Sequence, residues 1–297
     1  MHRLIRLTLL LLAAARPAAA GSKLAVVATT ADLGALGTAV GGDAVSVTVL
    51  ARPTEDPHFV DAKPSFIRLL NQADVLLEGG AGLEAGWLPP LLDGARNARI
   101  ALGTPGRVVA ATGLSLLEVP SQLDRSMGDV HPYGNPHFLL DPENAKTVAR
   151  AIAEAFCTAD GPRCETYRQH AGALAATLDQ KLAEWQKQLA AVKGAKVVTY
   201  HKDFDYFARR FGLEVVDTLE PKPGIPPSPA HLAELVPKME AAHVRLILVE
   251  SFRERQTPDF VAEKTGAKVL TLPLMPDGDY VGLIDRNVSA VAGALGR

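Results

Sequence analysis

From Glu165 to about Val192 the chain runs close to thirty residues with no proline and one glycine, Gly172. This stretch, ETYRQHAGALAATLDQKLAEWQKQLAAV, has helical period throughout and would reach roughly 40 Å at 1.5 Å per residue. A helix that long can run the length of the molecule and tie two bodies together. The material on either side of it is of one kind. Before it, the apolar runs 23–28, 45–50, 75–77 and 99–102 read as strands, with helices predicted over 29–40, 65–71 and 83–95, the last interrupted by Pro89-Pro90. After it, 196–200, 213–216, 245–250 and 268–272 read as strands. Helices are predicted over 204–211, after Ser228-Pro229, after Thr257-Pro258, and over 280–295. A cap residue before proline is a favoured helix start. Short strands alternating with helices predict βαβ units and parallel sheets. The expected fold is α/β with two lobes, each a parallel β-sheet flanked by helices, joined by one long rigid helix. The expected bounds are 21–142 for the N-terminal lobe, 143–193 for a helical segment that includes the link, and 194–297 for the C-terminal lobe.

Residues 1–20 carry a positive start (Arg3, Arg6), an apolar run from Leu7 to Ala15 and an A-x-A site at Ala18 to Ala20. This is the pattern of a cleavable signal peptide, and the run is too short to span a bilayer. No cysteine lies near the cleavage site, so a free, soluble, exported protein is expected. Removing this segment takes away three arginines and no acids, leaving 28 basic against 33 acidic side chains, a charge of −5. A mildly acidic surface argues against nucleic acid as a partner. Cys157 and Cys164, in FCTADGPRC, are expected to form a local disulfide, which persists in an exported protein. Six intervening residues exceed the usual short zinc-ligand spacing, and the segment has no histidine.

Three histidines stand at comparable places. His58 follows a strand within EDPHF, His137 lies in NPHFLLDP, and His201 directly follows KVVTY. In open α/β sheets ligands bind beyond the carboxyl ends of strands, so a crevice between lobes can receive all three. Neutral imidazole suits Zn2+, and three imidazoles plus one oxygen complete a tetrahedron, whereas Mn2+ prefers more oxygen donors. Taken singly, each such histidine is more often a polar surface or capping residue, and spacings of 79 and 64 residues match no short zinc motif. His131 reads as a solvent-exposed loop residue. His170, His231 and His243 read as surface or packing residues. Asp203 and Asp205 read as favourable negative charge at a helix N-terminus.

Longer motifs add to this. DPHFVDAKPSFIRLLNQADVLLEGGAGLE, NPHFLLDPENA, TYHKDFDYFARRFGLEV and LVES followed by DYVGLIDRNVSAVAGAL occur in that order. Over nearly all of the mature chain they resemble the cluster A-I family of periplasmic zinc- and manganese-binding proteins, the receptors of ABC importers. The resemblance implies the two-lobed fold with a rigid linking helix, and it places His58, His137 and His201 on the first three metal positions. Many manganese members have Glu at the third; His there favours zinc. Many members take a fourth ligand, an aspartate, from the last βα loop. Here Pro273-Leu274-Met275 stands in that place, which leaves Asp277, Asp279, a water or Glu250 for the role. Glu250 ends a strand expected beside the His201 strand, and can instead hydrogen-bond a ligand histidine. The long His-rich loop of many zinc members is missing, with only His131 in its place. The implied protein is a monomeric periplasmic receptor, not an enzyme, that captures Zn2+ between its lobes and hands it to a membrane permease. A manganese receptor, an exported zinc hydrolase using Glu250 as base, and a metal chaperone or adhesin are the alternatives. A continuous helical link implies a small opening motion.

Overall fold

The structure, a computed structural model, describes residues 22–121 and 131–296. The expected signal peptide lies outside the described residues. The first sheet is built from β1 (Leu24–Ala28), β2 (Val45–Val49), β3 (Val75–Glu78) and β4 (Arg107–Val109), in the order β2-β1-β3-β4. The second has β5 (Lys196–Thr199), β6 (Glu214–Thr218), β7 (Leu246–Glu250) and β8 (Lys268–Leu272), in the order β6-β5-β7-β8. All the pairings are parallel and the two orders are equivalent. In each sheet the chain starts at an inner strand, steps to one edge, then crosses back. That reversal makes a crevice at the carboxyl ends of the strands.

Helices α1 (Ala31–Gly41), α2 (Pro64–Gln72) and α3 (Leu88–Ala95) connect the first set of strands. Helices α6 (Asp205–Phe211), α7 (Pro229–Ala242) and α8 (Gln256–Thr265) connect the second, and α9 (Tyr280–Leu295) closes the chain. Between the sheets lie α4 (Pro142–Ala159) and α5 (Cys164–Leu189). The 26 residues of α5 span about 39 Å. Its buried side chains, Tyr167, Ala171, Leu178, Leu182, Trp185 and Leu189, recur at helical spacing and make one apolar stripe. The Trp185 indole donates to Asp285 of α9 at 2.7 Å. The stripe belongs to a core shared by both lobes, which includes Leu33, Phe156, Phe207 and Ile284. Polar ties reinforce the joint. Arg210 of α6 grips Asp141, the residue that caps α4, at 2.6 and 2.8 Å, and the Tyr280 hydroxyl donates to the Leu139 carbonyl. Cys157 and Cys164 form the expected disulfide, joining the end of α4 to the start of α5. Among the described residues no helix is long and apolar enough to cross a membrane.

Three local expectations are corrected. Residues 99–102 are not a strand: Asn97 caps a short 3-10 turn over Ala98–Ile100, only Ile100 is buried in it, and Leu102 is exposed. The edge strand forms later, at Arg107, where Leu76 can pair with it. Pro89-Pro90 do not interrupt a helix; they open α3, where a missing N–H costs nothing. Thr257 sits inside the first turn of α8 instead of capping it, while Ser228 does cap α7 by accepting from His231 N.

Candidate metal centre

Two of the histidines are held by the same local device. In Asp56-Pro57-His58 the Asp56 Oδ1 accepts from His58 N at 3.0 Å, and in Asn135-Pro136-His137 the Asn135 Oδ1 accepts from His137 N at 3.0 Å. Such Asx turns fix the backbone two residues on. The Pro57 carbonyl is further pinned by the buried Trp87 indole at 3.0 Å. His201 is placed by the second sheet. Its strand β5 pairs with β6 and β7 so that Glu220 and Glu250, each just at or past a strand end, flank it on either side.

The four rings of His58, His131, His137 and His201 converge, and one ligand atom from each lies within 4.8 Å of all the others. Ring centroids are 5.0 Å apart for His58–His137, 5.6 Å for His58–His201 and 5.7 Å for His137–His201. His131, expected on the open surface, is instead half-buried with its Nε2 3.0 Å from His58 Nε2. Three of the rings carry a carboxylate. Asp56 meets His58 Nδ1 at 2.8 Å, Glu220 meets His201 Nδ1 at 2.8 Å, and Asp203 Oδ1 stands 2.7 Å from His137 Nε2. For His58 and His201 this leaves Nε2 to face a ligand. Carboxylate partners of this kind orient metal-binding imidazoles and raise their basicity.

Charge is arranged around the rings. Burial and the neighbouring imidazoles push His131 down to about 3, and burial also lowers His137 despite Asp203. For His201 burial acts downward too, but the Asp203 and Glu220 charges outweigh it and raise the ring. Burial would raise Asp203, yet the two histidines beside it hold it well below the usual carboxylate range. Glu250 goes the other way, pushed well up by burial and by the Asp203 charge. Arg253 lies behind the rings. Its Nη2 is 3.4 Å from Asp56 and 3.6 Å from Glu220, and its guanidinium stacks over Tyr200 at 5.3 Å. A cavity of about 310 Å3 opens against His131, His137 and His201, with Glu118, Lys202 and Pro221 on its walls.

Four buried or half-buried imidazoles, crowded ring to ring and backed by carboxylates, are a poor hydrophobic core and a good cation site. The comparisons with known proteins agree. The family described as zinc-uptake complex component A, periplasmic (ZnuA), matches residues 26–294. The chain belongs to this family. A putative metal-binding protein of Treponema pallidum (strain Nichols) is 29% identical over 259 residues, covering 85% of this chain and 80% of its own. The manganese ABC transporter substrate-binding lipoprotein PsaA of Streptococcus anginosus is 22% identical over 295 residues, covering 95% and 92%. The crystal structure of ZnuA superposes with a TM-score of 0.79 at 24% identity over 92% of this chain and 99% of that one, a likeness of fold.

Of the residues that the sequence pointed to, the structure brings His58, His137 and His201 together. Glu250 is not in the group. It is fully buried, one oxygen 3.4 Å from His201 N and its carboxyl against Asp203. Asp279 caps α9 by accepting from Gly282 N, and Asp277 is exposed. Asp203 does stand in a helical first turn, the 3-10 turn Lys202–Phe204 that leads into α6, but it is also 1% exposed and against His137. Glu220 was not singled out from the sequence at all; its only signal was its place just past a strand end.

Proposed function

We propose that the chain captures Zn2+ in the cleft between its lobes, with His58, His137 and His201 as ligands, and delivers it to the permease of an ABC importer. The observation that carries this reading is the convergence of histidines from both sheets, each with a carboxylate on its ring. The charges nearest the rings fit a divalent cation. Asp56, Asp203 and Glu220, each beside a ring, supply three negative charges against one from Arg253, which leaves two. Neutral imidazoles favour zinc over manganese; the manganese named for PsaA makes Mn2+ the competitor to measure.

The chain is read as a periplasmic monomer released by a cleavable signal peptide, with lobes over 21–142 and 194–297 and the link over 143–193. The shared core, the Arg210–Asp141 pair and α5 resist wide hinge bending, so opening is small and the permease must disturb the site for zinc to leave. A hydrolase is disfavoured by Glu250, the base it would need. That carboxyl is sealed against His201 and Asp203, and the residues that wall the cavity do not include it. Titration of the metal-free protein with Zn2+ and Mn2+, beside His58→Ala, His137→Ala and His201→Ala, tests the assignment. Zinc binding is expected to weaken in all three variants; parent-like affinity in all three rejects it.

A further inference from the structure

We infer that His131 is the fourth ligand and the residue that sets the preference for zinc over manganese. The inference rests on the zinc-capture reading and adds what that reading lacks, the donor that closes the coordination sphere. The His131 Nε2 is 3.0 Å from the Nε2 of His58, on the side of that ring left free by Asp56. Zinc bound tetrahedrally at about 2.0–2.1 Å has ligand atoms roughly 3.3 Å apart, and four nitrogens within 4.8 Å of one another need little contraction to reach that.

His131 is seated, not swept in by chance. Its ring backs onto Gly82 (φ +92°), where an added Cβ would stand 3.6 Å from Nδ1 and 3.4 Å from Pro132. Gly134 (φ +112°) lets the following chain cross close over Leu116 and Leu117, where a Cβ would come within 2.8 and 2.9 Å of their atoms. Asn135 N then bonds the Leu117 carbonyl at 2.8 Å, and its side chain reaches the Lys202 carbonyl of the other lobe at 2.7 Å. The loop is thus anchored directly after His131.

The carboxylates that the sequence offered as a fourth ligand are turned away. Glu250 is sealed behind His201, Asp279 caps α9, Asp277 is exposed, and Leu274 and Met275, which stand in the last βα loop, are buried. With His131 the first coordination shell is four imidazoles and no carboxylate. Zn2+ accepts four nitrogens in a tetrahedron, whereas Mn2+ binds nitrogen weakly and seeks oxygen. The shell is also lopsided, with three ligands from the first lobe and His201 alone from the second.

X-ray absorption at the zinc edge of the loaded parent protein counts imidazoles without any mutation, and the expected count is four. Chelator competition then compares parent, His131→Ala, His131→Asp and His137→Ala. His131→Ala is expected to lose at least tenfold in zinc affinity. His131→Asp is expected to regain part of it and to narrow the Zn2+:Mn2+ preference at least tenfold. A count of three, with His131→Ala as tight as the parent and His137→Ala weakened, overturns the role of His131 and leaves zinc capture standing. Zinc binding untouched in both alanine variants overturns both.

Discussion

The two lobes bring different chemistry to one site. The first presents His58, His131 and His137 on loops and one carboxylate partner, Asp56. The second presents His201 alone, but with it Asp203, Glu220, Glu250 and Arg253, packed at strand ends and on the turn after β5. One side is rich in ligand atoms, the other in charge. The division follows from the folds beneath. A loop can fold back to place several rings in one spot, as Asx turns and Gly134 do here. Buried carboxyls need a rigid backbone and fixed neighbours to offset desolvation, which parallel strand ends in register supply.

The sharpest way to break this comparison is at His201. Its loss leaves every remaining ring on the first lobe, so zinc should no longer bridge the cleft. His201→Ala is expected to weaken zinc by more than the ~100-fold upper end seen for outer partners. In hydrogen exchange, zinc should then protect backbone amides near His58 and His137 but not those following β5. Protection on both sides in this variant would mean that the second lobe holds zinc by another group.

Removing charge while keeping shape comes next. Asp203→Asn and Glu220→Gln should each cost roughly 10–100-fold in zinc affinity, the range for carboxylates that orient ligand histidines. Asp56→Asn should fall at the low end, because Asp56 is more exposed than either and water can stand in for it. Equal losses at all three positions, measured by chelator competition, would remove the distinction between a ligand lobe and a charge lobe.

These carboxylates are also where reading the chain falls short of the structure. His58, His137 and His201 were legible because each follows a strand end and two sit in the same Asx-Pro-His turn. The paired sheets and the long helix were legible from alternating apolar runs and from an uninterrupted helical period. Glu220 was not, because its approach to His201 depends on the register between β5 and β6, 19 residues apart in sequence. Asp203 looked like an ordinary helix-start acid; its burial against His137 requires the two lobes to meet. His131 stands apart from its expected place because its position depends on the chain crossing at Gly134, and a glycine in a loop does not announce which segment it lies against.

The smallest effect concerns the seam between the lobes, away from the rings. Asp205 on α6 is pushed up to about 7, first by burial and then by the Glu118 carboxyl of the other lobe, with Lys202 acting in the opposite sense and Asp203 adding to the rise. Its folded value lies above the ordinary 3.8, so the folded protein binds the proton more tightly than the unfolded chain does. The stability it contributes is fully present below about pH 3.8 and is lost as pH rises through about 7. Asp205→Asn keeps the neutral form at every pH. Relative to the parent, the variant should therefore gain stability between pH 5 and about pH 7 and level off above that in denaturant melts of the metal-free protein, while its zinc affinity at neutral pH stays within a few-fold. A parent–variant difference that does not change with pH would show that burial and the Glu118 carboxyl do not raise Asp205 across the seam, and that the charge gathered on the second lobe stops at the metal site.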